Sequence, residues 1–354
     1  MSSLDEEKAE AFSNRYIELL NGSAMILMTS LGHQTGLFDV MANLPSSTSD
    51  EIASKADLNE RYVREWLGAM VTGKFVNYDP NAKTYYLPPE HSAILTRSVS
   101  PDNLAVSSQW IPLLGSVESK IIDAFKNGGG VPYSEFKKFH KVMAEESLQT
   151  VVSALHEHIL PLVPNGIKIL DEGIDVLDIG CGSGYALFEM AKTYPNSKFS
   201  GLDISEEAIT KAQTLTKKEG LSNLKFEIKD ISNLNIIENF DLITAFDVIH
   251  DQRAPNKVLK EIYGALKADG TFLMQDISGT SYLEKDVDHI LGPLLYATST
   301  MHCMTVSLSQ GGEGLGTMWG VKTAEEYIKN AGFSSIIVNE LEHDPMNVFF
   351  VISK

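Results

Sequence analysis

Between Val176 and Gly184 the chain reads Val-Leu-Asp-Ile-Gly-Cys-Gly-Ser-Gly, an apolar run that ends in three glycines at alternate positions and opens into a helical pattern. Glycines in such a place let the backbone turn sharply and let a ligand approach it closely, beside a helix N-terminus. The dinucleotide fingerprint G-x-G-x-x-G needs a glycine at 185, where this chain has Tyr185, and no Gly-Lys-Ser/Thr follows to make a phosphate P-loop. Phosphate recognition is therefore the weaker reading. Further along, carboxylates stand at Asp203, Asp230 and Asp276, and Asp247-Val248-Ile249-His250-Asp251 sets a histidine among acids. Histidine beside a carboxylate is the usual material of a general base and its orienter.

These residues need elements to hold them. From Ile174 onward, candidate strands at 174–179, 198–203, 224–229, 240–246, 270–275, 335–340 and 347–353 alternate with helical patterns near 184–193, 205–219, 255–267 and 323–331. That alternation predicts an α/β fold, a seven-stranded doubly wound sheet covered on both faces, with Asp178, Asp203, Asp230, Asp251 and Asp276 clustered at strand ends. Segment 277–321 interrupts the rhythm and reads as a helical insertion ending in the glycine-rich loop Gly311 to Gly316, either a mobile lid or simply a flexible connection.

The first part reads differently. Apolar residues at helical spacing (Phe12, Tyr16, Leu19, Leu20) predict helices over 4–43, and Thr48-Ser49-Asp50-Glu51 marks a capped helix start. A second helix from about Asn59 carries Tyr62, Val63, Trp66, Leu67, Met70 and Val71 on its apolar side, and 75–78 with 84–87 reads as a hairpin. Two short helices and a hairpin make a winged helix. From Ser46 to Arg97 it carries six basic residues against seven acidic ones, a net −1, whereas a groove-reading element needs a basic face. Dimerisation or pocket building is the expected role. Residues 100–165 read as helical, broken at Gly128-Gly129-Gly130, and Pro161, Pro164 and Gly166 mark a boundary. The domains expected are thus 1–100, a connector over 101–165, and 166–354 carrying the chemistry.

Composition sets outer limits. The chain has 354 residues, 43% of them apolar, with 29 basic against 47 acidic residues, a net charge of −18. Such acidity argues against nucleic acid or an anionic membrane as main partner. Two cysteines, Cys181 and Cys303, build neither a disulfide framework nor a Cys-rich zinc site, and the other histidines share no ligand spacing, so no metal is expected. With no signal-like start and no run of about 18 apolar residues, the default location is the cytoplasm.

The segment Asp178 to Gly184 resembles the glycine motif of the class I S-adenosylmethionine (SAM) methyltransferases, and the likeness covers about 174–276 strongly. It implies SAM as cofactor and S-adenosylhomocysteine as product. It implies that Asp203 binds the ribose hydroxyls and Asp230 the adenine amino group. Asp178, Gly180, Gly182, Gly184, Ile231, Phe246 and Asp247 complete the implied cofactor set, with backbone N–H groups after Gly180 free to meet the carboxylate of SAM. His250-Asp251 resembles the His-Asp of the small-molecule O-methyltransferases, which also carry an N-terminal winged-helix dimerisation region. The resemblance makes His250 the general base, Asp276 its orienter and the protein a homodimer.

The chain departs from those enzymes at Gln252, where a Trp is usual, and no second flanking acid is evident around Lys322 to Glu326. Its layout, including Met301-His302-Cys303-Met304 and Gln310 to Gly316, is closer to less characterised winged-helix SAM methyltransferases. O-methylation of a small molecule is the leading expectation. The alternatives are N- or C-methylation of a small molecule or lipid, a SAM-sensing winged-helix regulator, and a SAM-binding partner without turnover.

Overall fold

A computed structural model describes residues 4–354, and its contacts divide the chain after Leu113 into two compact units. Residues 114–165, which the sequence puts in a connector, cluster with the second unit.

In the first unit a long helix, Glu6–Thr35, is followed by helices Leu37–Ala42, Ser49–Ala56 and Glu60–Thr72 and by the hairpin β1 (Asn77–Asp79) and β2 (Thr84–Tyr86). The start signal at Thr48 is a complete capping box: the Thr48 side chain accepts from Glu51 N–H, and Glu51 accepts from Thr48 N–H at 2.7 Å. Val63, Trp66, Leu67 and Met70, spaced three and four apart, form the buried stripe of the fourth helix, and Trp66 Nε1 donates to Met28 O at 2.8 Å. Tyr62 does not join them. It lies one position off the stripe and is 80% exposed. The basic residues of this helix are matched internally, Arg61 with Glu65 and Arg64 with Glu60.

The second unit is built on seven strands: β3 (Asp175–Ile179), β4 (Lys198–Asp203), β5 (Leu224–Ile228), β6 (Phe240–Phe246), β7 (Leu266–Ile277), β8 (Ser335–Leu341) and β9 (Asp344–Ser353). Their order is β5-β4-β3-β6-β7-β9-β8. The first five are parallel, and β9 lies antiparallel between β7 and β8. Alternate residues feed two cores. Leu177 and Ile179 pack with helices 255–265 and 320–331 on one face, while Val176 packs with helices 185–193 and 206–219 on the other. Strand β7 runs beyond the expected 270–275 in both directions because β6 and β9 pair along it.

The order reverses at β3, whose neighbours β4 and β6 lead to opposite edges. At such a switch point the loops leaving the two strands diverge and open a crevice. The insertion folds as helices Leu283–Asp286, Gly292–Thr298 and Met304–Ser309, with a π-helical turn at Ser299–Cys303.

Candidate active site

The crevice at the carboxyl ends of β3 to β6 holds a cavity of about 480 Å³, within the range of small-molecule sites. Asp178, Gly180, Gly182, Gly184, Asp203, Asp230, Ile231, Phe246 and Asp247 all line it, so the structure brings the whole predicted cofactor set together. Residues 132–152 and 306–310 supply the opposite wall through Tyr133, Phe139, His140, Met143, Val306 and Gln310.

The three glycines differ in what they do. Gly182 has φ +52°, and a Cβ there would meet no protein atom, so its bareness leaves room at the cavity wall. Gly184 has φ +75°, and a Cβ there would stand 2.3 Å from the Phe226 ring, so its bareness serves packing. The expectation that amides after Gly180 are free for a carboxylate fails at most positions. Gly180 and Cys181 N–H donate to Leu202 O at 2.8 and 3.1 Å, Gly184 N–H donates to Cys181 O at 2.8 Å, and Gly182 N–H donates to Asp203 Oδ2 at 2.9 Å. The loop spends three of these donors on anchoring itself to β4 and the fourth, from Gly184, on its own turn.

That anchoring fixes Asp203. Its Oδ2 accepts from Gly182 and its Oδ1 from Ser205 N–H at 2.8 Å, which leaves each oxygen a lone pair for a ligand. Asp230 is exposed and caps the turn 231–233 through Ser232 N–H at 2.8 Å. The Ser232 side chain, and after it that backbone hydrogen bond, hold its carboxyl below the usual value against a smaller opposing effect of burial.

Deeper in, carboxyls are pushed the other way. Burial raises Asp178 to about 7, against a partly compensating 2.7 Å hydrogen bond from Thr244. Asp247 is raised to about 8 by burial and then by the charge of Asp276, and Asp251 to about 6 by burial against the pull of His250. Asp247 Oδ1 is buried and finds no hydrogen-bond partner among the described residues. A crevice with unmet acceptors and acids short of counter-charge is suited to a cationic ligand.

His250 and Asp276 do meet. Nδ1 of His250 lies 2.8 Å from Asp276 Oδ1, which also accepts from Trp319 Nε1 at 2.9 Å and Ile277 N–H at 2.8 Å. Burial pulls the imidazole down, but Asp276, then Cys303, outweigh it and carry His250 well above its ordinary value. His250 is 3% exposed; Val248 and Asp251 line the cavity, and His250 itself does not.

Sequence reasoning missed several members of the site. Trp319, Tyr133 and His140 stand far from the motif in the chain and reach it only through the fold. Burial pushes the Tyr133 phenol well up and His140 down, so both are neutral at neutral pH. The glycine loop 311–316 lies off the cavity and is tied in place: Gly312 N–H donates to Ser307 O at 3.0 Å, Glu313 N–H to Arg253 O at 3.2 Å, and Gly314 N–H to Ser307 Oγ at 3.1 Å. Met301, Met304 and Met318 do not line the cavity. Among the described residues no three His, Cys, Asp or Glu side chains are gathered as metal ligands.

A family profile described as a methyltransferase domain matches residues 170–332, which span every glycine and acid of the crevice. Residues 170–332 form a methyltransferase domain. A second profile, described as an Rv2258c-like winged HTH domain, matches residues 23–97 ahead of it. Solved structures align over the whole chain: human N-acetylserotonin methyltransferase in complex with SAM (19% identity, TM-score 0.71, 100% of this chain and 99% of that one) and the mitomycin 7-O-methyltransferase MmcR (12%, 0.72, 99% and 100%). PigF, solved with S-adenosylhomocysteine, aligns at 17% identity with a TM-score of 0.70 over 99% of this chain and 100% of that one. At these identities the likeness establishes the fold. Among curated proteins, malonyl-[acyl-carrier protein] O-methyltransferase of Bacillus cereus is 25% identical over 45% of this chain and 53% of its own length. Sterol 24-C-methyltransferase of Saccharomyces cerevisiae is 28% identical over 62% and 52%. The chain thus spans about half the length of the curated relatives it matches, and the methyltransferase domain is what they share. One of those relatives is an O-methyltransferase and the other a C-methyltransferase.

Proposed function

We propose that this chain transfers the methyl group of SAM to a hydroxyl of a small organic molecule. The observation that carries the reading is the crevice itself, in which a pinned Asp203, a bare Gly182 and buried carboxyls surround one cavity of about 480 Å³. SAM, when bound, supplies an electrophilic methyl carbon on a sulfonium. Asp203 would hold the ribose hydroxyls, Asp230 and Ile231 the adenine side, and Asp178, Gly180, Gly182, Gly184, Phe246 and Asp247 the remainder. Catalysis by the chain is then positioning, together with removal of the acceptor's proton. The His250–Asp276 couple favours a hydroxyl acceptor: with Nδ1 held by Asp276, Nε2, which lies 3.3 Å from Cys303 Sγ, is the end that takes a proton once the imidazole is neutral. The test is incubation of the protein with methyl-labelled SAM and a small-molecule extract, read by mass spectrometry. Label in an ether or ester supports the reading, whereas label confined to nitrogen or carbon would move the acceptor class, and none at all would leave a binding protein.

The raised carboxyls predict a pH dependence for the cofactor. A cation draws Asp178, Asp247 and Asp251 toward ionisation, so binding expels protons wherever they are protonated in the free protein. Affinity for SAM is expected to rise between about pH 6 and 8, the span of their shifted values, and S-adenosylhomocysteine, which lacks the sulfonium charge, is expected to show a shallower rise. Calorimetry across that span decides it, and equal slopes for the two ligands refute the assignment.

We also read the protein as a cytoplasmic homodimer. Phe12, Tyr16, Ile17, Leu19 and Leu20 on the first helix are each more than half exposed, an apolar face that a second copy would cover. Sedimentation should return twice the 38.9 kDa chain mass, and a monomer mass at all concentrations rejects the dimer. Both cysteines are free thiols, as a reducing compartment would keep them, and cell fractionation checks that location.

A further inference from the structure

SAM brings a carboxylate as well as a sulfonium, and in an acidic crevice that carboxylate needs donors. The glycine loop has few to give, because the amides of Gly180, Cys181, Gly182 and Gly184 are taken by Leu202 O, Asp203 and Cys181 O. Other groups of the lining are engaged too. Gln252 Nε2 donates to Val248 O at 2.9 Å, Lys229 Nζ to Leu234 O at 2.9 Å, and Ser309 Oγ to Val306 O at 2.7 Å. Arg253 acts on Asp230, at the adenine end.

Two donors on the opposite wall are unspent. The Tyr133 hydroxyl and the His140 imidazole line the cavity and hydrogen-bond to none of the described residues. Their ring centroids are 5.4 Å apart, close enough for both to meet one carboxylate. After burial, the charges of Asp251 and Asp203 act most on Tyr133, which places it across the crevice from the ends of β6 and β4, with β3 between them. With the adenosine over β4 and β5, the amino-acid end of SAM falls over β3 and β6.

The wall holds both groups in place. The Tyr133 ring stands edge-on to Phe139 at 4.9 Å and to His302 at 5.6 Å. Gly130 lets the chain press against the insertion: a Cβ there would stand 1.9 Å from Thr305 O, and Val131 N–H donates to Thr305 Oγ1 at 2.9 Å. Lys120 and Glu135 pair at 2.6 Å just beyond Tyr133. Donors fixed in this way need little reordering when a ligand arrives.

We propose that Tyr133 and His140 receive the carboxylate of the cofactor, in place of the amides that the glycine loop has spent. The inference rests on the reading of the protein as a SAM enzyme. Burial pushes the Tyr133 phenol well up, so it stays an O–H donor through the neutral range. Burial holds His140 down against the pull of Asp203 on β4 and Glu207 on the helix 206–219, so the free protein presents a neutral N–H. Its neighbours Tyr133 and His302 are neutral as well. A carboxylate on this wall is then a new charge, and it draws His140 toward the imidazolium.

The test compares S-adenosylhomocysteine with its decarboxylated form, which keeps the adenosine, the thioether and the ammonium and lacks only the carboxylate. Calorimetry is run on the full chain, in the parent, Tyr133→Phe and His140→Ala. The parent should prefer the carboxylate-bearing probe. Tyr133→Phe deletes one oxygen and keeps the ring, and should cut that preference about tenfold, with the decarboxylated probe bound as by the parent. His140→Ala should do the same, and by NMR with nitrogen-15-labelled histidine the parent's His140 ring titration should rise with the first probe and stay put with the second. Variants that weaken both probes alike would mean that the two side chains only pack against the cofactor, which overturns the proposal. Unchanged preference in both variants also overturns it, and would put the carboxylate on the first-turn amides of the helix 185–193. A parent that binds both probes equally removes the carboxylate receptor and leaves the SAM reading standing, whereas a parent that binds neither ends both.

Discussion

Asp203→Ala should bind SAM about 10²-fold more weakly than the parent, or worse. Two hydrogen bonds from a ribose diol to an ionised carboxylate contribute about 1.5–3 kcal/mol each, and 1.4 kcal/mol is a factor of ten. The lower end of that sum already reaches two decades. A second loss adds to it, because Asp203 Oδ2 is also the acceptor for Gly182 N–H, and without it that part of the glycine loop has no side-chain anchor. Asp203→Asn is the informative companion, since its amide oxygen can still take one backbone donor while the charge and one acceptor are gone. Asp230→Ala should cost less, because Asp230 is exposed and its nearest task is to cap a short turn. Calorimetry on the three variants ranks them, and an Asp203→Ala affinity within twofold of the parent would remove the ribose assignment.

Much of this site could be read before any fold was known, and the reason is local. A parallel strand that ends in a ligand-facing turn announces itself by an apolar run, a glycine or an acid, so Asp178, Asp203 and Asp230 stood out at the ends of β3, β4 and β5. Strand ends are legible because periodicity and turn chemistry are carried by neighbours in sequence. What the chain does not carry locally is which distant segment closes the crevice. Trp319 reaches Asp276 across 43 positions and Cys303 reaches His250 across 53, and no spacing rule predicts either. The glycine loop misled for a related reason. Three glycines imply open amides, but β4 lies alongside, where Leu202 O and Asp203 take those of Gly180 and Gly182, and Cys181 O within the turn takes that of Gly184. Likewise the contacts of the run 311–316 are set by distant partners, Ser307 and Arg253, which accept from its amides and which no local pattern names.

Asp276→Asn should lower methyl transfer by about 10²- to 10⁴-fold, the scale of a lost general base, while leaving S-adenosylhomocysteine binding close to the parent value. The carboxylate oxygen Oδ1 accepts from His250 Nδ1, Ile277 N–H and Trp319 Nε1 together. An asparagine oxygen can keep that geometry, but it brings no charge to sustain the imidazolium formed when a proton arrives. The substitution therefore separates orientation from electrostatics, and stability gives the independent readout. In the parent, Asp276 is the leading influence holding His250 above its ordinary 6.5. A group raised in the folded state contributes stability that is fully present below its unfolded value and is lost as pH rises through the folded one. The melting-temperature gap between parent and Asp276→Asn should therefore be widest below about pH 6.5 and narrow as the solution becomes more alkaline. A gap that is constant with pH would mean that Asp276 stabilises by shape alone, and parent-rate transfer in the variant would mean that His250 is oriented by Asp276 without being charged by it. The charge of Asp276, and with it the imidazolium that the charge stabilises, would then lose its claim to the rate-limiting chemistry, while the neutral imidazole could still act as the base.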